Sequence, residues 1–158
     1  MNFLTEHGIG SYEELESRLT AVSARRDTAH AEIKRIESRS AELTLVMKHA
    51  GTYRQLKPLY DRYRKSNDKE KFLRGHESEI ILFEAAAREL KRLGAVPLPT
   101  TESMKTELAN LSAEKERLLA EYKTARTEAQ EYETVKQNVD ALLAVPKEQE
   151  QQRRHELE

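Results

Sequence analysis

Apolar residues recur along this chain in steps of three and four, and they form two long series. The first series covers residues 12–50 and the second covers residues 104–143. Each series holds this spacing for about five heptads, which favours a coiled-coil seam over a helix that is only amphipathic. We therefore predict two long helices, at about residues 12–50 and 101–144.

Two helices of similar length, joined by a compact insert, can pack side by side in opposite directions. The predicted fold class is all-α: a long antiparallel coiled-coil hairpin with a small helical bundle at the tip. The apolar residues expected to face one another are Leu19, Val22, Ile33, Ile36 and Leu43 on the first helix and Leu111, Leu118, Tyr122, Ala125, Tyr132 and Val139 on the second.

Glycine and proline are rare, so they mark the predicted helix ends. Gly51 and Pro58 are expected to end or kink the first long helix, and the helical tip is placed at about residues 52–94. The segment from about residue 76 to 93 has apolar residues on more than one face, which predicts the most buried helix. Gly94 is expected to cap that helix, and Thr100 is expected to cap the next one.

The two ends of the chain are predicted to differ in structure. Residues 2–7 look like the end of another helix, and Ser11 with Glu14 forms a capping-box pattern that begins the first long helix. Residues 1–145 are interpreted as a single helical domain. After Pro146, the segment 146–158 is too hydrophilic to fold alone and is expected to be a disordered polar tail.

Four polar residues interrupt the apolar series: Arg26, Ser40, Lys115 and Lys136. Polar residues at seam positions often fix the register of two helices, and long cations can extend past apolar neighbours to solvent. We therefore predict structural roles for them. The carboxylates expected to pair with Arg26 from the returning helix are Glu128, Glu131 and Glu133.

The composition excludes several classes of protein. The 158 residues carry a net charge of −1, 35% of them are charged, and none is cysteine. Disulfides and thiolate sites are therefore impossible, and no apolar run approaches the roughly 20 residues that span a bilayer. We expect a cytoplasmic protein without membrane contact.

The sequence also offers little for catalysis. The five histidines are too far apart in sequence for a local metal-binding pair, and no phosphate-binding loop or nucleophile motif is present. The nearest approach to a ligand cluster lies at His76, Glu77 and Glu79, which is ordinary composition for the start of a helix. We predict no enzymatic activity for this segment, no metal and no cofactor.

The charge is distributed unevenly. Residues 48–74 contain nine Lys or Arg and three acids, an excess of six positive charges, whereas the rest of the chain carries −7. Cations interleaved with aromatic rings are typical of proteins that bind single-stranded nucleic acid. The predicted phosphate contacts are Arg54, Lys57, Arg62, Arg64, Lys65, Lys69, Lys71 and Arg74, and the possible stacking residues are Tyr60 and Tyr63. Alternatively, the rings form the core of the tip and the cations keep it soluble.

Three segments carry a resemblance to a known family: NFLTEHGIGSYEELESR, then YDRYRK followed by KFLRGHESEIILFEAAARELKRLG, and LPT before a long helix rich in Glu and Lys. Together they resemble the helical region that follows the nuclease domain in conjugative relaxases, or mobilisation nucleases, of plasmids and transposons from gut bacteria. Relaxases nick one DNA strand with a tyrosine, aided by a metal held by histidines. No catalytic residue of the family can be matched here, so the resemblance implies an accessory domain without the catalytic part.

Two functions are therefore expected from the sequence. The first is a non-catalytic helical domain of a DNA relaxase that contributes to binding or positioning DNA, single-stranded or non-specific, during conjugative transfer. The second is a coiled-coil interaction module that docks another conjugation protein or self-associates. Phosphate contact predicts an affinity that falls steeply with salt, whereas an interface between helix faces should respond weakly.

Overall fold

The structure is a computed structural model that describes the backbone of residues 8–157 and the side chains of residues 8–144. Within this range the regular elements are all α-helices, so the predicted all-α class is confirmed. In chain order they are α1 (Tyr12–Lys65), α2 (Lys69–Arg92) and α3 (Thr101–Leu157). The chain divides into two compact units, which we call the terminal unit (Met1–Ile33 and Glu116–Glu158) and the central unit (Lys34–Lys115).

The start of α1 follows the predicted capping pattern with one change. The hydroxyl of Ser11 accepts a hydrogen bond from the Glu14 amide at 3.1 Å, as expected. The Glu14 carboxylate accepts from the amide of Gly10 at 3.0 Å rather than from that of Ser11. This N–H is the main cause that lowers the pKa of Glu14, and Arg18 adds to the effect. The predicted helix end at residues 2–7 lies outside the described residues.

The first long helix does not end near residue 50, as predicted, but continues to Lys65. Gly51 and Pro58 both lie inside α1. In a helix interior, Gly costs about 1 kcal/mol and Pro about 3 kcal/mol relative to Ala. Packing offsets this cost, because Ala50 is fully buried and Leu59 is 9% exposed next to the two interruptions. Tertiary contacts therefore override the local signals.

The predicted caps on either side of the α2–α3 connection are confirmed. Gly94 has a positive φ of 71°, and the next amide, of Ala95, donates to the carbonyl of Leu90 at 2.9 Å. These features complete a glycine-terminated helix end. At the start of α3, the Ser103 amide donates to the hydroxyl of Thr100 at 3.1 Å. The Val96–Pro97 peptide bond between these caps is cis.

The helix α3 also extends beyond its predicted end. Its backbone is helical through Pro146 to Leu157, where we expected a disordered tail. The residues after Pro146 are mainly Lys, Glu, Gln and Arg, which are strong helix formers. The hydrophilic composition that indicated disorder is therefore equally compatible with a helix.

The helix α2 buries one face rather than several. Its buried residues are Ile80, Phe83, Ala86 and Leu90. Ile81 and Leu82 are 54% and 55% exposed, so these two apolar residues outside that face are open to solvent. The helix is also kinked, because the backbone at His76 has non-helical angles (φ −136°, ψ 26°) directly after Gly75.

In the terminal unit, α1 packs against α3 through an apolar core. The buried members of that core are Leu15, Val22, Ala125, Ala129 and Tyr132, with Leu19 and Val139 among the partly buried residues packed on it. Polar contacts border this core, from Tyr12 to Asp140 (2.6 Å) and from Arg25 to Glu128 (3.9 Å). Residue numbers rise along α1 as they fall along α3, so the two helices run in opposite directions in this unit.

The central unit shows the same pairing of α1 with α3. Its buried residues include Ile36, Leu43 and Leu111, which the apolar series predicted. The Arg39 guanidinium pairs with both carboxylate oxygens of Glu107, at 2.7 and 3.2 Å. Glu37, which precedes Arg39 on α1, pairs with Lys115, which follows Glu107 on α3, so the two helices run in opposite directions in this unit too.

The polar residues at the seam have different roles. Lys115 pairs with Glu37 at 3.6 Å and Lys136 pairs with Glu16 at 4.0 Å, so both cations find a carboxylate on α1. The pairing predicted for Arg26 is wrong. Its guanidinium pairs with the adjacent Asp27 at 3.0 Å.

We expect Ile36→Ala to lower the free energy of unfolding by about 2–5 kcal/mol, because the side chain is fully buried and its loss leaves a cavity. The matched control is Ile81→Ala, which removes the same atoms from a 54% exposed position and should change stability by less than about 1 kcal/mol. Urea denaturation followed by circular dichroism measures both. Equal losses in the two variants would contradict the assigned core.

The Arg39–Glu107 pair predicts a small dependence of stability on pH. The hydrogen bond from Arg39 lowers the pKa of Glu107 below the usual 4.5. The contribution of this pair is therefore complete above that value and disappears as the pH falls through the lowered pKa. Both side chains are 40% exposed, so solvent limits the contribution to about 0.5–1 kcal/mol.

The measurement compares Glu107→Gln with the wild type by urea denaturation near pH 7 and near pH 2. The variant should be less stable than the wild type at the higher pH and about equally stable at the lower pH. The control is Glu116→Gln, since Glu116 is exposed on the same helix. A Glu107→Gln variant that keeps its deficit in acid would contradict this role of the pair.

Candidate nucleic-acid interface

The candidate interface lies in the central unit, where the end of α1 meets the start of α2. Three residues, Ser66 to Asp68, connect the helices. The Ser66 hydroxyl accepts from the Asp68 amide at 3.2 Å, and the Asp68 carboxylate accepts from the Lys71 amide at 3.1 Å. These two bonds fix the turn and cap the N-terminus of α2. The last turn of α1 and the first turn of α2 are therefore held next to each other.

All eight cations predicted from the sequence are exposed. Two of them have structural partners. Arg54 donates to the hydroxyl of Thr101 at 2.9 Å and to the carbonyl of Pro99, so it fastens the connection that leads into α3. Lys57 pairs with Asp61 at 3.1 Å on its own helix.

The other six cations surround the connection between the two helices, and we call them the basic junction: Arg62, Arg64, Lys65, Lys69, Lys71 and Arg74. Among the described residues, none of the six forms an ion pair with an acidic side chain. Two nearby acids are already used, because Asp61 pairs with Lys57 and Asp68 caps α2. Arg74 makes a long hydrogen bond of 3.4 Å to the backbone carbonyl of Glu70. The positive charge of the junction is therefore mostly uncompensated.

Helix dipoles distinguish five of the six cations of the basic junction. Arg62, Arg64 and Lys65 lie in the last turn of α1, where cations stabilise the negative end of the helix. Lys69 and Lys71 lie in the first turn of α2, where cations are unfavourable. Helix stability therefore accounts for the first group but not for the two lysines. A bound phosphate would offset the unfavourable interaction between these lysines and the helix dipole, because helix N-termini and lysines both attract phosphate.

The aromatic residues of this region pack on one another. The rings of Tyr53 and Tyr60 stack on Phe83 with centroids at 4.8 and 4.3 Å. Tyr63 contacts Phe72 at 6.0 Å in a tilted arrangement. Both predicted stacking residues, Tyr60 and Tyr63, are half-buried and help to join α1 to α2. These contacts give both rings a structural role, and base stacking by them stays a prediction.

His76 lies beside this cluster, and its Nδ1 atom has no hydrogen-bond partner although it is buried. A carboxylate oxygen of Glu79 is 3.6 Å away, and the ring packs on Phe72 with centroids 4.7 Å apart. In the part of the chain whose side chains are described, no group of three or more acidic or histidine residues could hold a metal ion. No helix in the described range is long and apolar enough to cross a membrane.

Comparisons of this chain with protein-family models, with curated proteins and with solved structures give no match.

One part of the site was not predictable from the residues alone. The sequence pattern placed the start of the second helix near residue 76, whereas α2 begins at Lys69. The unfavourable position of Lys69 and Lys71 depends on that boundary. The signal available in the sequence was Asp68 followed by Glu70, an N-cap residue and an acid suited to a first turn.

We expect Lys69→Gln/Lys71→Gln to raise the free energy of unfolding by about 0.5 kcal/mol at low salt, because two cations leave the positive end of α2. The matched control is Arg64→Gln/Lys65→Gln, which removes two exposed cations from the other side of the same turn and should lower stability. Urea denaturation at low and high salt measures both effects, which should shrink with salt. A loss of stability in the first variant would contradict the dipole argument.

Proposed function

We propose that this chain is a non-catalytic helical module of a DNA relaxase that helps to bind or position DNA during conjugative transfer. The basic junction contacts the phosphates. The observation that carries the proposal is that six exposed cations on two adjoining helix ends have no acidic partner among the described residues. Three segments resemble the region behind the nuclease domain of relaxases. This resemblance supports a relaxase as the parent protein and a non-catalytic role for this part.

The proposed mode of binding is electrostatic. Lys69 and Lys71 contact one part of the phosphate backbone, and Arg62, Arg64 and Lys65 contact another. Contacts of this kind release counterions and carry little sequence information. Stacking makes a smaller contribution, because Tyr60 already has Phe83 against its ring. The DNA is single-stranded or bound without sequence preference.

The way in which the two long helices pack against each other is also part of the proposal. The packing of α1 against α3 is of the coiled-coil type, and the two helices are the arms of a hairpin. The support is the three-and-four spacing of the apolar residues and the opposite order of the ion pairs within each unit. The net charge of −7 outside residues 48–74 would repel a long polyanion such as DNA and favour its contact at the basic junction.

A second candidate function is protein interaction, and it rests on the exposed face of α2. Ile81 and Leu82 are adjacent, and each exposes more than half of its side-chain surface. Apolar pairs of this kind can serve as the centre of a helix-face contact with another conjugation protein or a second copy of the chain. Such an interface depends weakly on salt, which distinguishes it from phosphate binding.

We expect Arg62→Glu/Arg64→Glu/Lys65→Glu to weaken the binding of a fluorescent single-stranded oligonucleotide by more than tenfold at low salt. Three phosphate contacts are lost and three repulsive charges appear. Since each contact with single-stranded DNA contributes about 0.7 to the slope of log affinity against log salt, the slope should fall by about 2. Fluorescence anisotropy over a salt series, with single-stranded and duplex DNA, provides the measurement.

The control changes the net charge equally at exposed cations elsewhere, in Lys34→Glu/Lys105→Glu/Lys123→Glu. This variant should bind DNA within about threefold of the wild type. Circular dichroism verifies folding, and Lys69→Gln/Lys71→Gln provides a second test, because it should weaken binding while α2 becomes more stable. Equal weakening by the control, or no DNA binding by the wild type at low salt, would refute the proposal.

A further inference from the structure

A second cluster of cations lies far along the sequence from the basic junction, in the terminal unit. Side chains from α1 and α3 line a surface cavity of about 440 Å³ that is widely open to solvent, and we call it the arginine cavity. Its lining residues are Arg26, Asp27, His30, Tyr122, Arg126 and Gln130. Each helix contributes one arginine. The cavity is therefore lined by one guanidinium group from each of the two helices.

The position of Arg26 needs an explanation other than packing. It occupies a place in the apolar series where Val22 and Ala29, one turn away on either side, are buried. A cation at such a position lowers stability unless it makes a compensating contact. The expected contact with a carboxylate on α3 is not made, because the guanidinium pairs with Asp27 on the same helix. A structural role in joining the two helices is therefore not supported.

The charge of the arginine cavity is positive. Asp27 is the one acid among its lining residues, and it already pairs with Arg26 at 3.0 Å. Within the described residues, no ion pair joins Arg126 to an acidic side chain. The neutral lining groups also suit an anion, because the Gln130 amide and the Tyr122 hydroxyl can donate hydrogen bonds. The His30 ring lies against Tyr122, with centroids 5.7 Å apart.

Two facts indicate which class of anion the arginine cavity would bind. Guanidinium groups on two helices can hold two charged groups at once, which suits a diphosphate better than a single carboxylate. A long polyanion is disfavoured, because the chain outside residues 48–74 carries −7 and the neighbouring turns of α3 include Glu121, Glu128 and Glu131. We propose that the arginine cavity binds a small molecule that carries a diphosphate, through Arg26, Arg126 and the neutral donors beside them.

This site differs from the proposed DNA interface in residues, in unit and in ligand. It does not depend on the relaxase proposal. The diphosphate could belong to free pyrophosphate or to a nucleoside diphosphate, since both offer the same charged group. The two sources are distinguished by titrating each one.

The test is a titration of the full chain with inorganic pyrophosphate at low salt, observed through the ring resonances of His30 by NMR. Binding should produce a saturable shift of these resonances, and a nucleoside diphosphate should do the same. A nucleoside monophosphate should bind about tenfold more weakly, because one charged group is missing. Tighter binding of the nucleoside diphosphate than of pyrophosphate would assign the site to nucleotides, and equal binding would assign it to the diphosphate alone.

Variants establish which residues are responsible. Arg26→Gln and Arg126→Gln should each weaken pyrophosphate binding about tenfold or more, the effect of losing a charged hydrogen bond. The matched control is Arg25→Gln, which removes an equal charge from the adjacent residue, outside the lining of this cavity. It should change the affinity by less than about twofold. Arg62→Glu/Arg64→Glu/Lys65→Glu should leave pyrophosphate binding unchanged, which separates this test from that of the DNA interface.

Three results would overturn the proposal. The first is a shift of the His30 ring that does not saturate with pyrophosphate. The second is equal weakening by Arg25→Gln, which would show general attraction rather than a site. The third is a saturable shift with a single-stranded oligonucleotide but none with pyrophosphate, which would assign the cavity to nucleic acid.

Discussion

The structure depends on the burial of an apolar stripe of α1 against an apolar stripe of α3. In the terminal unit this contact joins Leu15 and Val22 to Ala125 and Tyr132, and in the central unit the series continues with buried residues such as Ile36. The ion pairs beside the stripe are mostly a third or more exposed, so each contributes little. Packing of the apolar stripes therefore contributes more than the ion pairs to holding the helices together.

Much of this fold could be predicted because the apolar period and the caps are local signals. The all-α class, the start of α1, the Gly94 cap and the Thr100 cap followed from neighbouring residues. The length of α1 could not be predicted, because its continuation through Gly51 and Pro58 depends on packing around Ala50 and Leu59. A local cost of a few kcal/mol decides a helix end only where tertiary contacts do not offset it.

The candidate interface was predictable to a similar degree. Its charge and its exposure follow from the composition of residues 48–74, since Lys and Arg are seldom buried. The sequence could not separate structural cations from free ones. Arg54 contacts Pro99 and Thr101, which are more than 40 residues away in the chain. The partner predicted for Arg26 was wrong because a local contact replaced the long-range one. The neighbouring Asp27 lies closer to the Arg26 guanidinium than any acid of α3 does.

The kink of α2 at His76 has a consequence for the dynamics of the basic junction. Because the backbone leaves helical geometry there, the short segment before the kink can open without breaking the helix that follows it. Amide hydrogens near Lys69 and Lys71 should therefore exchange with solvent independently of those around Phe83. A ligand that binds at the start of α2 would have to order this short segment, so its protection from exchange would increase on binding while that of the buried face would remain the same.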